Sequence, residues 1–536
     1  MKSFALIVFF YLFSSSILAQ VPNVGLRISS NDVSDGYLLY SPQENTKVFL
    51  IDNCGEQVNE WSFGERPGLV CYLLENGNLL RAGRNSIEIQ SWEGDLVWSF
   101  SINDKLGLNQ HHDIEFMPNG NVLCLITDNQ TSIDMRNLGK DTLSVPGEIK
   151  LDKIIELQPI GIDSAIVVWE WRFMDHFIQD FDSTKINFGV IADHPELLDI
   201  NYDTPYGTDY THCNAIDYNA DLDQILISAR SINEIMIIDH STSSAEAASH
   251  SGGASNRGGD FLWRWGNPAV YDNGNITDQK LFLQHDPKWI PNTYADAGRI
   301  SVFSNGGDTS SAMYSSLLIL EPTVVNGAYQ MNAGKFLPLD YYWSWNGDVL
   351  GETVFQGKKS GMNVMPNGNV AFCETFHGQV TELNRLGEIL WVYKNPSGSI
   401  IYGQLDTIQN FNNSIFRGER LPASHPGLQG KDLSGKGILE DFNALSDSCG
   451  IELPTALRSN TLSELAFFEN PVKDKILQFT ELVFETDVMI YDWSGRLVFA
   501  LEKFSGRRLL IDLSSGMYIL RVLREDELLE QQLMVY

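Results

Sequence analysis

SGMNVMPNGNVAFCETFHGQVTELNRLGEILWVY, residues 360–393, is the stretch from which the fold can be read. It divides into a strand, the turn Pro366-Asn367-Gly368-Asn369, a second strand, a turn, a third strand, a Gly-containing turn and a strand bearing Trp391. Asn-Gly between two apolar runs is a strong hairpin signal, because both central residues of a type I′ turn need positive φ. The same elements recur along the chain. Tryptophans close β-rich stretches at Trp61, Trp98, Trp169 and Trp171, Trp263 and Trp265, Trp343 and Trp345, and Trp391. Between them stand Glu75-Asn76-Gly77-Asn78, Pro118-Asn119-Gly120-Asn121 and Pro291-Asn292. Self-similarity of this kind marks a repeat architecture. Four strands per unit and six tryptophan groups predict an all-β chain whose main domain is a six-bladed β-propeller, the tryptophans packing at the blade edges.

Outward from this repeat, the first unit, residues 36–63, lacks its innermost strand, and residues 401–416 are expected to close the ring against it. The largest insertion, residues 172–210, carries helix-like pieces near 175–181 and 194–198. Met1 to Gln20, with Lys2 ahead of an apolar run from Phe4 to Phe13, reads as a secretory signal, so the protein is expected to be exported, to the cell surface or beyond. The propeller is expected over 21–430 and a linker over 431–461. A small C-terminal β-sandwich is expected over 462–536, with five strands at 488–492, 497–501, 509–513, 517–523 and 532–536. The formal net charge of −32 excludes a nucleic-acid partner and disfavours an anionic membrane surface. Cys54 and Cys449, both in Cys-Gly turns, are the expected disulfide; Cys124 and Cys373 stand in apolar strand contexts as buried thiols.

Three histidines stand at matching positions. His112 and His285 precede Pro-Asn turns by six residues, and His212 occupies the equivalent place in Thr211-His212-Cys213-Asn214. At the start of an innermost strand, each would lie at one mouth of the central channel. Hairpin geometry returns Arg230 beside His212 and Asn305 beside His285, while alternation along the strand puts His212 and Asn214 on one face. In the doublet His111-His112 the repeat favours His112, and His377, at the end of a second strand, could also reach the mouth. Isolated histidines such as His176, His194, His250 and His425 are expected on the surface or in loops. Clustered histidines often bind metal, but a permanently charged arginine among them suits an oxyanion instead, so no metal and no cofactor is assigned here. Sulfuryl or phosphoryl transfer needs a nucleophile, donors to the peripheral oxygens and a proton source for the leaving oxygen. Histidine can supply the first and the last, with Asp286 or a backbone carbonyl holding the nucleophile's other nitrogen. A non-catalytic exported propeller for binding or adhesion, and a metal-assisted hydrolase or lyase using the same histidines, are the alternative readings.

The motifs Gln284-His285-Asp286, Thr211-His212-Cys213-Asn214 with Ser228-Ala229-Arg230, and His111-His112-Asp113 resemble those of the bacterial arylsulfate sulfotransferases across residues 36 to about 430. The resemblance implies a six-bladed propeller that moves a sulfuryl group from an aryl sulfate to a phenol without a nucleotide donor, and no Gly-rich phosphate loop is present. It implies His285 as the nucleophile, Arg230, His212 and Asn214 as holders of the sulfuryl oxygens, and His112 near the leaving phenol. In the tail, Asn470-Pro471, Asp492-Trp493-Ser494-Gly495-Arg496 and Leu513-Ser514-Ser515-Gly516-Met517-Tyr518 resemble the C-terminal sorting domain of the type IX secretion system. That similarity implies the secretion machinery as a partner and carriage across the outer membrane.

Overall fold

The Pro-Asn-Gly-Asn segments do form the hairpins, by a different turn from the one expected. Gly120 N–H donates to Met117 O and Met117 N–H to Asn121 O, both at 2.9 Å, and only Gly120 takes positive φ, at 87°. The loops at Gly77 and Gly368 repeat this pattern, with φ of 85° and 92°. Proline fixes a negative φ at the second turn position, so the loop is a type I turn followed by a left-handed glycine rather than type I′. The Asn119 and Asn367 side chains each accept the amide two residues on, which further rigidifies the turn. The turn at Pro291-Asn292 lacks the glycine, and its hairpin runs on to Arg299.

In the computed structural model the described residues are 22–141, 147–306, 313–440, 476–492, 496–511, 513–524 and 527–535. The expected signal segment, Cys449 with its proposed pairing, and most of the linker lie outside them. The described chain is nearly all β. Six antiparallel sheets of four or five strands occupy residues 25–422. Their first strands are Ile415–Pro422, Pro67–Leu73, Gln110–Phe116, Cys213–Asn219, His285–Trp289 and Gly361–Val364. Each first strand touches the next, and the last touches Ile415–Pro422, so the contacts run in a cycle.

The first sheet takes its innermost strand from the far end of the chain: Ile415–Pro422 pairs with Gly36–Pro42. That strand begins where the expected closing segment ends. Residues 401–414 form turns, with Phe411 at φ 77° among asparagines that favour turns over ladders. A second tie was not anticipated: Gly25–Ser29 adds a fifth, outer strand to the sixth sheet beside Ile389–Lys394. In the 172–210 insertion the helical pieces expected near 175–181 and 194–198 do not form: single 3₁₀ turns, Phe173–Asp175 and Ile191–Asp193, lead into those spans, which hold instead the short parallel pair Phe177–Ile178 and Leu198–Asp199. Pro195 discourages helix at the residue before it.

Every tryptophan group stands on the outermost of the four strands of its own unit. At least one indole N–H per sheet donates to a backbone carbonyl of the following unit: Trp61 to Ser91, Trp98 to Ser164, Trp171 to Gly259, Trp263 to Leu337, Trp265 to Pro338, Trp343 to Arg385 and Trp391 to Asn53, all at 2.7–3.1 Å. The last of these returns to the first sheet. Apolar residues fill the spaces between neighbouring sheets; Phe303, Leu317 and Ile319 of the fifth pack with Val370 and Phe372 of the sixth, for example.

In the C-terminal module the five expected strands are four, Ile476–Asp492, Leu497–Leu510, Gly516–Arg524 and Glu527–Val535, in a single antiparallel sheet. The third expected strand begins inside the continuous Leu497–Leu510, so the described residues show one sheet rather than a sandwich. Among the described residues no helix is long and apolar enough to cross a membrane. Cys71, Cys124, Cys213 and Cys373 are buried free thiols, as expected for Cys124 and Cys373.

Candidate active site

A break in strand register falls at each histidine motif. The ladders shift between Cys213 and Ala215, between His285 and Lys288, and opposite residues 110–114. His112, His212 and Asp286 adopt positive φ of 55°, 46° and 56°. Non-glycine residues held there cost about 1–3 kcal/mol each, and such strain collects at functional sites. These bulges re-aim the side chains, so simple alternation fails. His212 and Asn214 do not share a face: Asn214 is buried and donates to Gln284 O at 2.8 Å, positioning the residue before His285.

The rings of His112 and His212 meet edge-on with centroids 5.0 Å apart, and Phe416 lies 6.3 Å from His112 and 6.4 Å from His285. His285 is 2 % exposed, and its tautomer follows from its neighbours. The Asn305 side-chain NH₂ donates to Gln356 O and Lys359 O, each at 2.7 Å, so its oxygen must accept from His285 Nδ1, 2.7 Å away. Leu283 O stands 3.0 Å from the same nitrogen. Nδ1 is therefore N–H, and Nε2 keeps a lone pair, which receives the Lys359 amide at 3.1 Å. Burial, then the positive charges of Arg230 and Arg417, pull the His285 pKa down to about 3, although Asn305 works the other way. The ring is a neutral base throughout ordinary pH. Of the two expected holders of this nitrogen the backbone carbonyl is present and Asp286 is not, and Asn305 is the closer partner.

A second chain of close polar contacts runs from Asp152 through the doublet. His111 Nε2 lies 2.9 Å from Asp152 Oδ1, and His111 Nδ1 lies 2.8 Å from His112 Nδ1. If the first is N–H toward the carboxylate, His112 carries hydrogen on Nδ1 and a bare Nε2. Burial and then the surrounding His111, His212, His285 and Arg417 press the His112 pKa well below the usual histidine range. Asp152 also accepts Thr211 Oγ1 and the Cys213 amide at 2.6 Å; against the upward push of burial, these donors and His111 hold its carboxyl low. His212 Nδ1 bonds Asp209 Oδ2 at 2.6 Å.

Arg230 follows its strand directly, and its amide donates to His212 O at 3.3 Å. Its guanidinium sits 4.9 Å over the Tyr206 ring, and among the described residues no carboxylate pairs with it. His377 turns elsewhere, to Glu374 at 3.3 Å, lining a different cavity of about 290 Å³ with Arg27 and Lys394.

The sequence reading missed Arg417. One nitrogen, Nη1, reaches Asp113 Oδ2 at 2.7 Å and Asp286 Oδ1 at 3.1 Å; the other donates to Asn214 O at 3.0 Å. One residue from each of the three histidine motifs is thus tied to a single guanidinium. Tyr72 joins through a 2.6 Å bond to Asp113 Oδ1. Although burial disfavours its charge, Asp113 and Asp286 keep Arg417 charged.

Replacing Asn305 by Leu should remove the acceptor that fixes the His285 tautomer. The expected result is a fall in kcat with little change in KM, measured on the full chain; equal damage to both would mean general disruption of the site.

Among curated proteins the comparison finds no match. Similar solved structures include a protein of unknown function from Bacteroides caccae, 12% identical, covering 72% of this chain and 99% of that one with a TM-score of 0.38. A streptogramin B lyase structure is 11% identical over 70% of this chain and 84% of its own, TM-score 0.33. Virginiamycin B lyase from Staphylococcus aureus is 9% identical over 69% and 88%, TM-score 0.30. The family model described as Arylsulfotransferase (ASST) matches residues 43–317, half of the chain, a span that contains His112, His212, Arg230, His285 and Asn305. On that match the chain belongs to the arylsulfotransferase family.

Proposed function

We propose that the protein is an exported, nucleotide-independent sulfotransferase that carries a sulfuryl group from an aryl sulfate to a phenol through a sulfated His285. Its six sheets are read as the six blades of a β-propeller with the site at one mouth of the channel. The observation that carries this reading is a neutral, tautomer-fixed imidazole within the field of an arginine that has no acid partner among the described residues. A metal would be repelled by Arg230, whereas a sulfate ester would be drawn to it.

His285 Nε2 attacks sulfur, an N–S bond forms and the S–O bond to the ring breaks. For this the substrate must displace the Lys359 amide from that lone pair, freeing the amide to donate, with Arg230, to the peripheral oxygens, with His212 alongside. His212 gives a proton to the departing phenolate and later takes one from the incoming phenol, whose oxygen displaces the imidazole, while the bare Nε2 of His112 stands beside that oxygen as an acceptor. Asn214 orients Gln284 and hence the strand that bears His285. Under this reading the tail engages the type IX secretion machinery.

The test is release of phenol from an aryl sulfate with and without a second phenol. Much faster release with the acceptor is expected. Equal rates in water alone point to a sulfatase, and no turnover favours a binding module. Arg230→Ala should lower the transfer rate by about 10²–10³, the usual cost of losing one donor to a developing oxyanion. A loss within threefold would take Arg230 out of the proposed site.

A further inference from the structure

At the outer edge of the third sheet, three side chains from two insertions meet beside Trp171. His176 comes from the 172–210 insertion, while His250 and Asp260 belong to the loop between Glu234–Asp239 and Trp263–Trp265. Expected on the surface or in a loop, His176 stands in a bend but is fully buried. His176 Nδ1 and His250 Nδ1 each lie 2.8 Å from the same atom, Asp260 Oδ1. One ligand atom from each residue falls within 4.8 Å of the others, the only such trio among the described residues.

The surroundings fix the orientation of His176. Its ring stacks on Trp171 at 5.4 Å and 6°, and its Nε2 faces Ala247 O at 2.8 Å. A carbonyl only accepts, so Nε2 carries a hydrogen. In the neutral ring Nδ1 then aims a lone pair at a carboxylate oxygen, which requires something positive between them. Holding the distal N–H on a backbone carbonyl is how proteins orient metal-binding imidazoles. Gly259 closes the cradle: a Cβ there would lie 2.6 Å from His176 Nε2 and 2.0 Å from Ala247 O.

We propose that His176 Nδ1, His250 Nδ1 and Asp260 form a binding site for a divalent ion of the zinc type, which staples the two insertions together. Two imidazoles and a carboxylate match the ligand preferences of zinc. Ligand distances of about 2.0–2.2 Å in tetrahedral geometry ask for nitrogen–oxygen separations of about 3.3 Å, so the trio must widen by about half an ångström. His250, whose side chain is 61 % exposed, can move that far; the equal spacing to the buried His176 must open by a shift of the Asp260 carboxylate, and the fourth position is left to water.

The experiment uses the full chain, stripped with a chelator and then titrated with zinc alone, reading bound metal by mass spectrometry and Tm by calorimetry. Wild type should bind one more zinc than His250→Ala at limiting concentration and should gain Tm on loading. His250→Ala and Asp260→Asn should weaken this zinc by at least the roughly 10–100-fold that loss of an outer-sphere partner costs. His194→Ala, an exposed histidine in the same insertion, should bind like wild type. Because His250 is exposed, its variant tests the site even if Asp260→Asn fails to fold. Equal zinc binding and equal Tm gain in wild type and His250→Ala would overturn the proposal and leave His176 as a doubly protonated ring on Asp260.

Discussion

His285→Ala is expected to abolish transfer while leaving the protein folded, and donor supplied without acceptor should load a sulfuryl group onto the wild-type His285. The first effect follows from the loss of an imidazole whose tautomer is dictated on both sides, by Asn305 and Leu283 at Nδ1 and by the Lys359 amide at Nε2. A pKa near 3 keeps that nitrogen bare, so no fall in rate from its protonation is expected until pH approaches that value. Its effect on stability has a definite sign. Between the ordinary histidine pKa and about 3 the unfolded chain binds a proton that the folded chain does not, so stability should rise with pH through that window. Mass spectrometry of the His285 peptide, digested away from acid, reads the trapped group. If the added mass sat on His212 or His112, the roles would be reassigned within the same reaction. Transfer without any modified histidine would replace the two-step scheme by direct displacement.

Arg417→Met is the second large effect. Removing one partner from a buried ion pair typically costs about 3–5 kcal/mol, because the remaining charge stays buried and uncompensated. Here two carboxylates, Asp113 and Asp286, lose their common partner. Burial already pushes the Asp286 carboxyl up and Arg417 is the main force holding it down, so without the arginine it should rise further. A carboxyl whose folded pKa exceeds its unfolded value binds its proton more readily when folded, so the deficit of the variant should shrink as pH falls. Denaturant unfolding at two pH values measures both. A loss below about 1 kcal/mol, the range of an exposed pair, would show that Arg417 is not the tie that the geometry describes.

What could be read from sequence divides along physical lines. Hairpin turns and outer-strand tryptophans depend on neighbouring residues, so Pro366-Asn367-Gly368-Asn369 and Trp391 announced themselves, and even the mistaken turn type left the hairpin intact. The three histidine motifs were legible because they repeat. The direction of each side chain was not, since bulges at Cys213, His285 and residues 110–114 break the alternation that a strand would impose. Asn214 was thereby given to the sulfuryl oxygens when it serves Gln284, whereas the place of Asn305 beside His285 followed from hairpin geometry alone. Arg417 left no local signal. It matters only because a strand far downstream returns to the centre, which no pattern around residue 417 reports. His176 carried no pattern either; two insertions had to fold against each other before it acquired neighbours.

The closing strand Ile415–Pro422 has a consequence for the life of the chain before it is complete. Pairing it with Gly36–Pro42 joins the two ends of the ring, a contact of very high sequence separation that is intrinsically slow to form. It also delivers Phe416 and Arg417, the floor of the histidine mouth and the knot that holds its three motifs. A growing polypeptide that has not yet released this strand can hold its histidines but lacks the Arg417 tie between their motifs. Under the proposed function, transfer should therefore be absent from chains that end before Ile415. The topology itself keeps the nascent protein chemically silent until its ring is shut.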